Sequence, residues 1–251
     1  MITGADLIWS VDGWIGYLVL NRPELHNAIS RRMWDDLPVV FNNLKSDGAK
    51  VIVITGSGSS FAAGADLLEL EQLDSYESAR DNWYSIRDSL NSLAGFELPT
   101  IAMINGPCLG GGCLLALSCD LRYASKTASF AVPVARLGIV LDQENIARLV
   151  DTVGPTLARE LLFLGDTISG ARAEASGLVN ALVEPSELES TVRSAAAKIA
   201  ENASVSLIHA KRSVNRALRG RQRGSGRDDR AVIESYLAQE FRTRIKGRTA
   251  R

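Results

Sequence analysis

The chain contains, from Thr100 to Cys119, the stretch TIAMINGPCLGGGCLLALSC. Its first five residues are a short apolar run that predicts a buried strand, and the Asn-Gly-Pro sequence that follows predicts where the strand ends. Residues 109–119 are apolar throughout and open with three glycines, so we expect a buried helix whose N-terminus lies at those glycines. A second apolar run, 51–54, is rich in β-branched residues and predicts another strand that is buried on both faces. Such strands are typical of a sheet enclosed by helices, and they indicate an α/β fold.

The regions around these two strands continue the alternation. On the N-terminal side we expect strands at 7–11 and 15–20, a helix that carries Ile29, Met33, Leu37, Val40 and Leu44, and helices at 67–73 and 76–95. Pro38 lies inside the first helical pattern and is expected to kink or interrupt it. On the C-terminal side we expect strands at 120–124, 130–132 and 179–183, and helices at 143–151, 155–163, 170–176 and near 186–201.

The remainder, 201–251, is predicted to be all helical. One apolar face consists of Leu207, Ala210, Val214, Ala217 and Leu218, and a second consists of Ile233, Tyr236, Leu237, Phe241 and Ile245. A Gly/Arg-rich loop, 220–226, separates them. These helices have no large core of their own, so they are expected to pack on the first part of the chain or on another subunit.

Composition excludes several classes of function. The 251 residues carry 28 Lys+Arg and 29 Asp+Glu, a net charge of −1, which argues against a nucleic-acid binder driven by bulk charge. Three cysteines and two histidines favour neither a disulfide framework nor a zinc site, so we expect no metal and a reducing, cytoplasmic compartment. No apolar stretch is long enough to span a bilayer, and no signal peptide is expected.

Two glycine-containing segments are candidates for binding an anion. FAAGAD, 61–66, precedes a predicted helix, and Gly110-Gly111-Gly112 opens another. Helix N-termini leave backbone N–H groups unpaired, and two such groups that converge on one oxygen form an oxyanion hole. The spacing fits neither a P-loop nor a dinucleotide site. The alternative, that the glycines only permit close packing of helix and strand, remains open at this point.

An ordered set of short motifs resembles the crotonase superfamily of enoyl-CoA hydratases and isomerases. In chain order the set is Asn21-Arg22-Pro23, FAAGAD at 61–66, Pro99-Thr100-Ile101-Ala102, Asn105-Gly106, Gly110-Gly111-Gly112-Cys113, Cys119-Asp120, Leu164-Gly165-Asp166 and AEASGLV at 173–179. The similarity extends from about residue 5 to about residue 245. It implies a ββα spiral core over 1–200 that binds acyl-CoA, a C-terminal helical oligomerisation region over 201–251, and assembly into a homotrimer or hexamer.

The resemblance also implies which residues bind the substrate. The thioester oxygen would accept hydrogen bonds from the N–H groups of Ala65 and Gly111, and coenzyme A would enter only as part of the substrate, with no separate cofactor. The positions that match the family's CoA contacts are Leu25, Ala28, Ala63, Ala65, Asp66 and Leu67. The neighbouring His26 is expected to be a solvated loop residue, and Asp120 is expected to be structural.

The sequence departs from the family where its hydratases carry two glutamates. The matching positions are Leu114 and Val134, and neither side chain can transfer a proton. Some family members carry an aspartate at the position of Asp142, where it acts as base or nucleophile near the acyl chain. Leu114, Val134 and Leu141 are expected to line the substrate site near the acyl group, and such apolar neighbours would raise the pKa of this carboxyl. Asp142 could equally cap the helix that begins at Gln143.

These observations lead to two hypotheses. The first is an enzyme that stabilises a thioester enolate and uses Asp142 to move a proton between carbons, as a double-bond isomerase does. A decarboxylase or thioester hydrolase would use the same oxyanion hole. The second is a catalytically silent CoA-binding protein.

Overall fold

The computed structural model describes residues 6–219 and, beyond them, positions 230, 233, 234, 236, 237, 239, 242, 243 and 246. The strands are β1 (Leu7–Asp12), β2 (Ile15–Leu20), β3 (Val51–Gly56), β4 (Thr100–Ile104), β5 (Cys108–Leu109), β6 (Leu121–Ser125), β7 (Ser129–Ala131), β8 (Ile168–Ser169) and β9 (Ala181–Val183). The helices are α1 (Arg31–Ser46), α2 (Leu67–Glu71), α3 (Tyr76–Gly95), α4 (Gly111–Ser118), α5 (Val134–Leu137), α6 (Gln143–Leu164), α7 (Gly170–Ala175), α8 (Leu188–Glu201) and α9 (Ser204–Arg219).

Two sheets organise the described chain. The larger has the strand order β1-β2-β3-β4-β6-β9, in which β1 and β2 are antiparallel and the other pairs are parallel. The smaller has the order β5-β7-β8. Side chains of β3 alternate between two hydrophobic clusters: Ile52 and Ile54 lie in the cluster with α1, α3 and α4, while Val51 and Val53 lie in the cluster with α8. The prediction of an α/β fold with a sheet enclosed by helices is therefore confirmed.

Helix α1 corrects the prediction that Pro38 would interrupt it. The helix is continuous from Arg31 to Ser46 with Pro38 inside. Proline has no N–H, so the carbonyl of Trp34 loses its intrahelical donor. Six buried side chains keep the helix docked on the core: Met33, Trp34, Leu37, Val40, Phe41 and Leu44. Ile29, which was assigned to the same apolar stripe, instead lies before the helix.

Helix α6 contains the two helices predicted at 143–151 and 155–163, which are confirmed as its two segments on either side of a kink. It bends at Gly154, whose φ of 73° and ψ of 166° are not helical, and Pro155 follows. Helix α5 was not predicted, because four residues are too few to display a periodic pattern. The last strand is also shorter than expected and begins at Ala181, since the N–H groups of Leu178 and Val179 donate to Ala173 at the end of α7.

The C-terminal helical region contacts the core through polar groups on α9 and through apolar side chains beyond that helix. Helix α9 is held by polar contacts: Lys211 Nζ donates to Leu98 O (2.9 Å) and to Asp120 Oδ2 (2.7 Å), and Asn215 Nδ2 donates to Ala94 O (2.9 Å). Asp120 Oδ2 also accepts the Thr100 N–H at 2.8 Å, which agrees with its expected structural role.

The apolar side chains of this region are divided between core and surface. The predicted apolar face of α9 does not pack on the core, because Val214 is 58% exposed and Leu218 is 41% exposed. By contrast, Ile233 and Tyr236 are buried in the same cluster as α4. Predictions for 220–226, Phe241 and Ile245 fall outside the described residues. Among those that are described, no helix has the length and apolarity needed to cross a membrane.

Candidate active site

The segment that contains Ala65 is clamped between two other loops. On one side, Ile29 N–H donates to Gly64 O (2.7 Å) and Asp66 N–H donates to Ile29 O (3.1 Å). On the other side, Leu109 N–H donates to Ala62 O at 2.9 Å. This pairing uses the peptide groups next to Ala65, so the N–H of Ala65 itself faces away from Ile29.

The N–H groups of Ala65 and Gly111 lie next to each other. Gly111 is the first residue of α4, where an N–H has no intrahelical acceptor. A Cβ at Gly111 would lie only 3.3 Å from the Ala65 nitrogen. Within the described part of the chain, neither N–H donates a hydrogen bond to the protein. Two unpaired donors side by side at a helix N-terminus can bind one anionic oxygen.

Glycine is required here for two different reasons. Gly64 and Gly110 have φ values of 110° and 50°, which side chains other than glycine rarely adopt. Gly112 has an ordinary φ, but a Cβ there would lie 2.5 Å from Ala62 O. The glycine run therefore serves close packing at Gly112 and leaves an unpaired N–H at Gly111, and anion binding by that N–H stays a prediction.

The predicted CoA-contacting positions are brought together by a buried asparagine. Asn27 adopts a left-handed φ of 57°, and its Nδ2 donates to Ser57 O (2.9 Å) and Ser60 O (2.7 Å). The adjacent His26 accepts the Ala63 N–H at 2.9 Å through its carbonyl. This arrangement joins the loop that carries Leu25 and Ala28 to the segment that carries Ala63, Ala65, Asp66 and Leu67. Sequence reasoning missed Asn27, although asparagine tolerates the left-handed region better than most residues.

Asp66, a predicted CoA contact, is already engaged within the protein. Its Oδ2 pairs with Arg22 Nη1 at 2.8 Å, and its Oδ1 caps α2 by accepting the Leu68 N–H at 3.1 Å. Arg22 Nη1 also donates to Ala28 O at 2.9 Å. The carboxylate of Asp66 is buried, so its geometry supports a role in holding the loop. Leu25 is 40% exposed, which leaves it accessible to a ligand.

The three positions expected near the acyl group share one hydrophobic cluster. Leu114 is buried on α4, and Val134 and Leu141 pack partly buried against the same cluster. Cys108 and Cys119 are also buried in this cluster, and burial raises the pKa of Cys119 to about 12. Both thiols are thus protonated and unsuited to act as nucleophiles. No group of three metal-ligating side chains occurs among the described residues.

Asp142, the candidate base, directly follows Leu141 in the chain. It is buried and serves as the N-cap of α6, since Oδ1 accepts the N–H groups of Glu144 (2.9 Å) and Asn145 (3.1 Å). Burial raises the pKa of the Asp142 carboxyl, and hydrogen bonds from Asn145 offset part of that rise. The cap that was one of two interpretations is confirmed, and a raised carboxyl pKa is also what proton transfer requires.

A polar chain that sequence reasoning missed continues from Asp142. Asn145 Nδ2 donates to Asp142 Oδ2 at 2.5 Å, and Arg148 Nη1 donates to Asn145 Oδ1 at 2.8 Å. Arg148 Nη2 donates to Asn91 Oδ1 on α3. The sequence contains part of the evidence for this chain, because side chains three residues apart on a helix can contact each other, and positions 142, 145 and 148 have that spacing. Tyr236 is buried near Asp142, and burial together with the Asp142 charge raises the pKa of its hydroxyl.

Known proteins with a similar sequence or fold agree on one family. Residues 12–250 match the family model described as "Enoyl-CoA hydratase/isomerase". A short-chain-enoyl-CoA hydratase from Clostridium acetobutylicum is 35% identical over 217 residues, which are 85% of this chain and 82% of that protein. A mitochondrial enoyl-CoA hydratase from Pongo abelii is 36% identical over 204 residues, covering 81% of this chain and 69% of the relative.

Solved structures extend the match to the fold. An enoyl-CoA hydratase/carnithine racemase from Magnetospirillum magneticum superimposes with a TM-score of 0.83 at 30% identity, covering 88% of this chain and 84% of that one. An enoyl-CoA hydratase/isomerase from Xanthobacter autotrophicus Py2 gives a TM-score of 0.82 at 27% identity, covering 99% and 98% of the two chains. With its α/β crotonase fold, the chain therefore belongs to the enoyl-CoA hydratase/isomerase family of the crotonase superfamily.

Proposed function

We propose that this protein binds an enoyl-CoA thioester and moves its double bond, with Asp142 as the single proton-transferring group. The observation that carries the proposal is a pair of unpaired N–H groups, on Ala65 and Gly111, combined with the buried carboxylate of Asp142. The relatives named as enoyl-CoA hydratases support the substrate class.

The mechanism follows from what each group can do. The thioester oxygen accepts the two N–H groups, which stabilise the negative charge that develops when a proton leaves the adjacent carbon chain. Asp142 accepts this proton and returns it to another carbon of the same conjugated system, so the double bond moves and no water is consumed. Burial raises the pKa of the Asp142 carboxyl, which favours return of the proton to the substrate.

Hydration is the activity named for the relatives, and we propose that it is slow here. Leu114 and Val134 occupy the positions that we match to the hydratase glutamates, and neither can hold or activate a water molecule. Isomerisation requires one base and no activated water, so a single aspartate suffices. Thioester hydrolysis also requires an activated water, so it ranks below isomerisation. Decarboxylation requires only the oxyanion hole and gives the buried carboxylate of Asp142 no role, so it ranks below isomerisation as well.

A catalytically silent CoA-binding protein is the second candidate, and one specific observation favours it. Asp142 already accepts two backbone N–H groups and a side-chain amide, so a purely structural role would account for its burial. Tight binding of enoyl-CoA thioesters without any turnover or proton exchange would support this candidate.

Replacing Asp142 by asparagine tests the proposal. Asparagine caps helices nearly as well as aspartate, so the variant should stay folded while losing its proton acceptor. Exchange of the α- or γ-protons of an enoyl-CoA in D₂O should fall by about 10²–10⁴-fold, and the dissociation constant of the thioester should change little. NMR of the recovered thioester measures the exchange.

Asp151→Asn is the matched control, because Asp151 is an exposed aspartate on the same helix, α6. Its exchange rate should equal that of the unmodified protein. If Asp142→Asn isomerises and exchanges at the rate of this control, Asp142 is not the base.

We also propose that the protein assembles as a homotrimer or hexamer, as the family resemblance implies. The apolar side chains that α9 exposes, among them Val205, Val214 and Leu218, support this assembly because they lack a cover on the described chain. A monomer in light scattering at micromolar concentration would contradict it. A cytoplasmic location stays a prediction.

A further inference from the structure

The N-cap of α6 and two polar residues in its first turns form a continuous hydrogen-bonded chain. Asp142, Asn145 and Arg148 are spaced by three residues, and Arg148 reaches across to Asn91 on α3. Asp142 and Asn145 are both buried. The chain therefore links the proposed base to a second helix.

The chemistry of its members fixes the direction of each hydrogen bond. The guanidinium of Arg148 can only donate, so it binds the carbonyl oxygen of the Asn145 amide at 2.8 Å. The NH₂ group of Asn145 is thereby turned towards Asp142, whose ionised carboxylate can only accept. Arg148 thus selects the amide orientation in which Asn145 donates to Asp142 Oδ2 at 2.5 Å.

Occupancy of the carboxylate oxygens indicates which position remains for a substrate proton. Oδ1 accepts two backbone N–H groups, from Glu144 and Asn145, and both of its lone pairs are engaged. Among the described residues, Oδ2 accepts only the Asn145 amide, which engages one of its two lone pairs. The second lone pair of Oδ2 is then the position that can accept a proton.

We propose that Asn145 is a positioning residue for Asp142: its backbone N–H and side-chain NH₂ hold both carboxylate oxygens, and Arg148 and Asn91 fix the orientation of its amide. This inference rests on the proposed role of Asp142 as base. It adds that the rotamer and the ionisation of the base depend on a side chain that does not touch the substrate.

Electrostatics give the positioning role a measurable signature. Burial raises the pKa of Asp142, whereas the bonds from Asn145 and the charge of Arg148 lower it. Among the described residues, buried Tyr236 also interacts with the carboxylate. Removing the Asn145 amide should therefore raise the pKa of Asp142 further. Because a general base must be ionised, the acidic limb of the rate–pH profile should move to higher pH.

The test uses two variants of Asn145. Asn145→Ala removes the side-chain donor and keeps the backbone N–H that helps cap α6. Asn145→Asp keeps the shape and a partner for Arg148, but it places an acceptor beside Asp142. We expect both to bind enoyl-CoA with a KM close to that of the unmodified protein and to exchange substrate protons about 10–10²-fold more slowly. The midpoint of the acidic limb should move to higher pH by about one to two units, as expected for loss of a hydrogen bond to a charged group.

Asn42→Ala is the matched control. Asn42 is an exposed asparagine on α1 whose Nδ2 donates to Pro38 O at 2.9 Å, away from Asp142. Its rate and its pH profile should be unchanged. A purely structural role for Asn145 would lower the melting temperature without moving the acidic limb.

The outcomes separate this inference from the function on which it rests. If Asp142→Asn abolishes exchange while both Asn145 variants keep the rate and the acidic limb, the positioning role is wrong and the isomerase proposal stands. If Asp142→Asn exchanges normally, both fail. The Asp142 pKa can also be measured in the free protein by carbon NMR of its carboxyl. An equal value with and without the Asn145 amide would overturn the inference whatever the turnover shows.

Discussion

The two ends of the candidate site are built from different parts of the polypeptide. At the proposed thioester end, the chemistry would come from the backbone N–H groups of Ala65 and Gly111, which any residue except proline supplies once the loops take this path. At the acyl end, it depends on side chains, and here Leu114 and Val134 are apolar while Asp142 is ionisable. Substitutions can therefore leave the backbone donors unchanged, whereas a single substitution at the acyl end can change which groups transfer protons. Membership of the family therefore constrains the backbone donors more closely than it constrains the reaction.

The largest effect should come from rebuilding the acyl end. In a Leu114→Glu/Val134→Glu double variant, the two carboxyls would supply the acid and base that hydration needs. Each general acid–base group contributes about 10²–10⁴-fold, so hydration of crotonyl-CoA should rise by at least 10²-fold. Loss of the enoyl absorbance during hydration measures the rate.

A Leu114→Gln/Val134→Gln variant is the control, since glutamine has a similar size and no proton to transfer. If the glutamate pair hydrates no faster than the glutamine pair, Leu114 and Val134 are not the counterparts of the hydratase glutamates. Rapid hydration by the unmodified protein would contradict the same assignment.

A smaller but still large effect is expected at the backbone end. Gly111→Pro removes one of the two N–H groups, and loss of one oxyanion-hole donor typically lowers kcat about 10²–10³-fold. Proline is tolerated at the first position of a helix, which is where Gly111 lies in α4. Gly111→Ala keeps the N–H and adds a Cβ that would lie 3.3 Å from the Ala65 nitrogen, so it controls for crowding.

Circular dichroism should first establish that both Gly111 variants are folded. Turnover should then fall much further for the proline variant than for the alanine variant. Equal losses would attribute the effect to crowding and would remove the Gly111 N–H from the proposed hole.

The smallest effect concerns stability. Asp142 has a pKa raised by burial above its usual value of 3.8, so between that value and the raised one the folded protein holds a proton that the unfolded chain releases. Its contribution to stability therefore becomes less favourable as the pH rises through this window, by about 1.4 kcal/mol for each unit of difference in pKa. The Asp142→Asn variant has no ionisable group at this position, so its free energy of unfolding lacks this pH-dependent contribution.

Urea unfolding of Asp142→Asn and the unmodified protein between pH 4 and pH 7 checks the sign. The stability of the variant relative to the unmodified protein should improve with rising pH, whereas Asp151→Asn should show no such trend. A relative stability that falls with rising pH would mean that hydrogen bonds outweigh burial at Asp142.

Elements with strong local patterns could be predicted from the sequence almost to the residue. Strands β2 and β4 and helix α3 begin and end where expected, because buried β-branched runs and clear apolar spacing dominate there. Helix α5 and the continuity of α1 through Pro38 could not be predicted in this way. One is too short to show a period, and the other is decided by packing that outweighs a lost hydrogen bond.

The candidate site shows the same division. The glycine segments indicated a pair of backbone donors, and the spacing of Asp142 before Gln143 indicated a helix cap. The links that assemble the site were not predictable, since Asn27 reaches Ser60 across 33 positions and Arg148 reaches Asn91 across 57. Amphipathicity likewise showed that α9 has an apolar face, but it could not show that this face stays uncovered on the described chain.

The sequence by itself determined the fold class, the glycines that the left-handed and crowded backbone positions require, and the identities of Leu114, Val134 and Asp142. These follow from local properties: side-chain size, branching, charge and allowed backbone angles. Only the tertiary structure decided that the N–H groups of Ala65 and Gly111 lie side by side and that Arg148 on α6 reaches Asn91 on α3. Those relations depend on distances between residues far apart in the chain, which folding sets through the packing of the whole core.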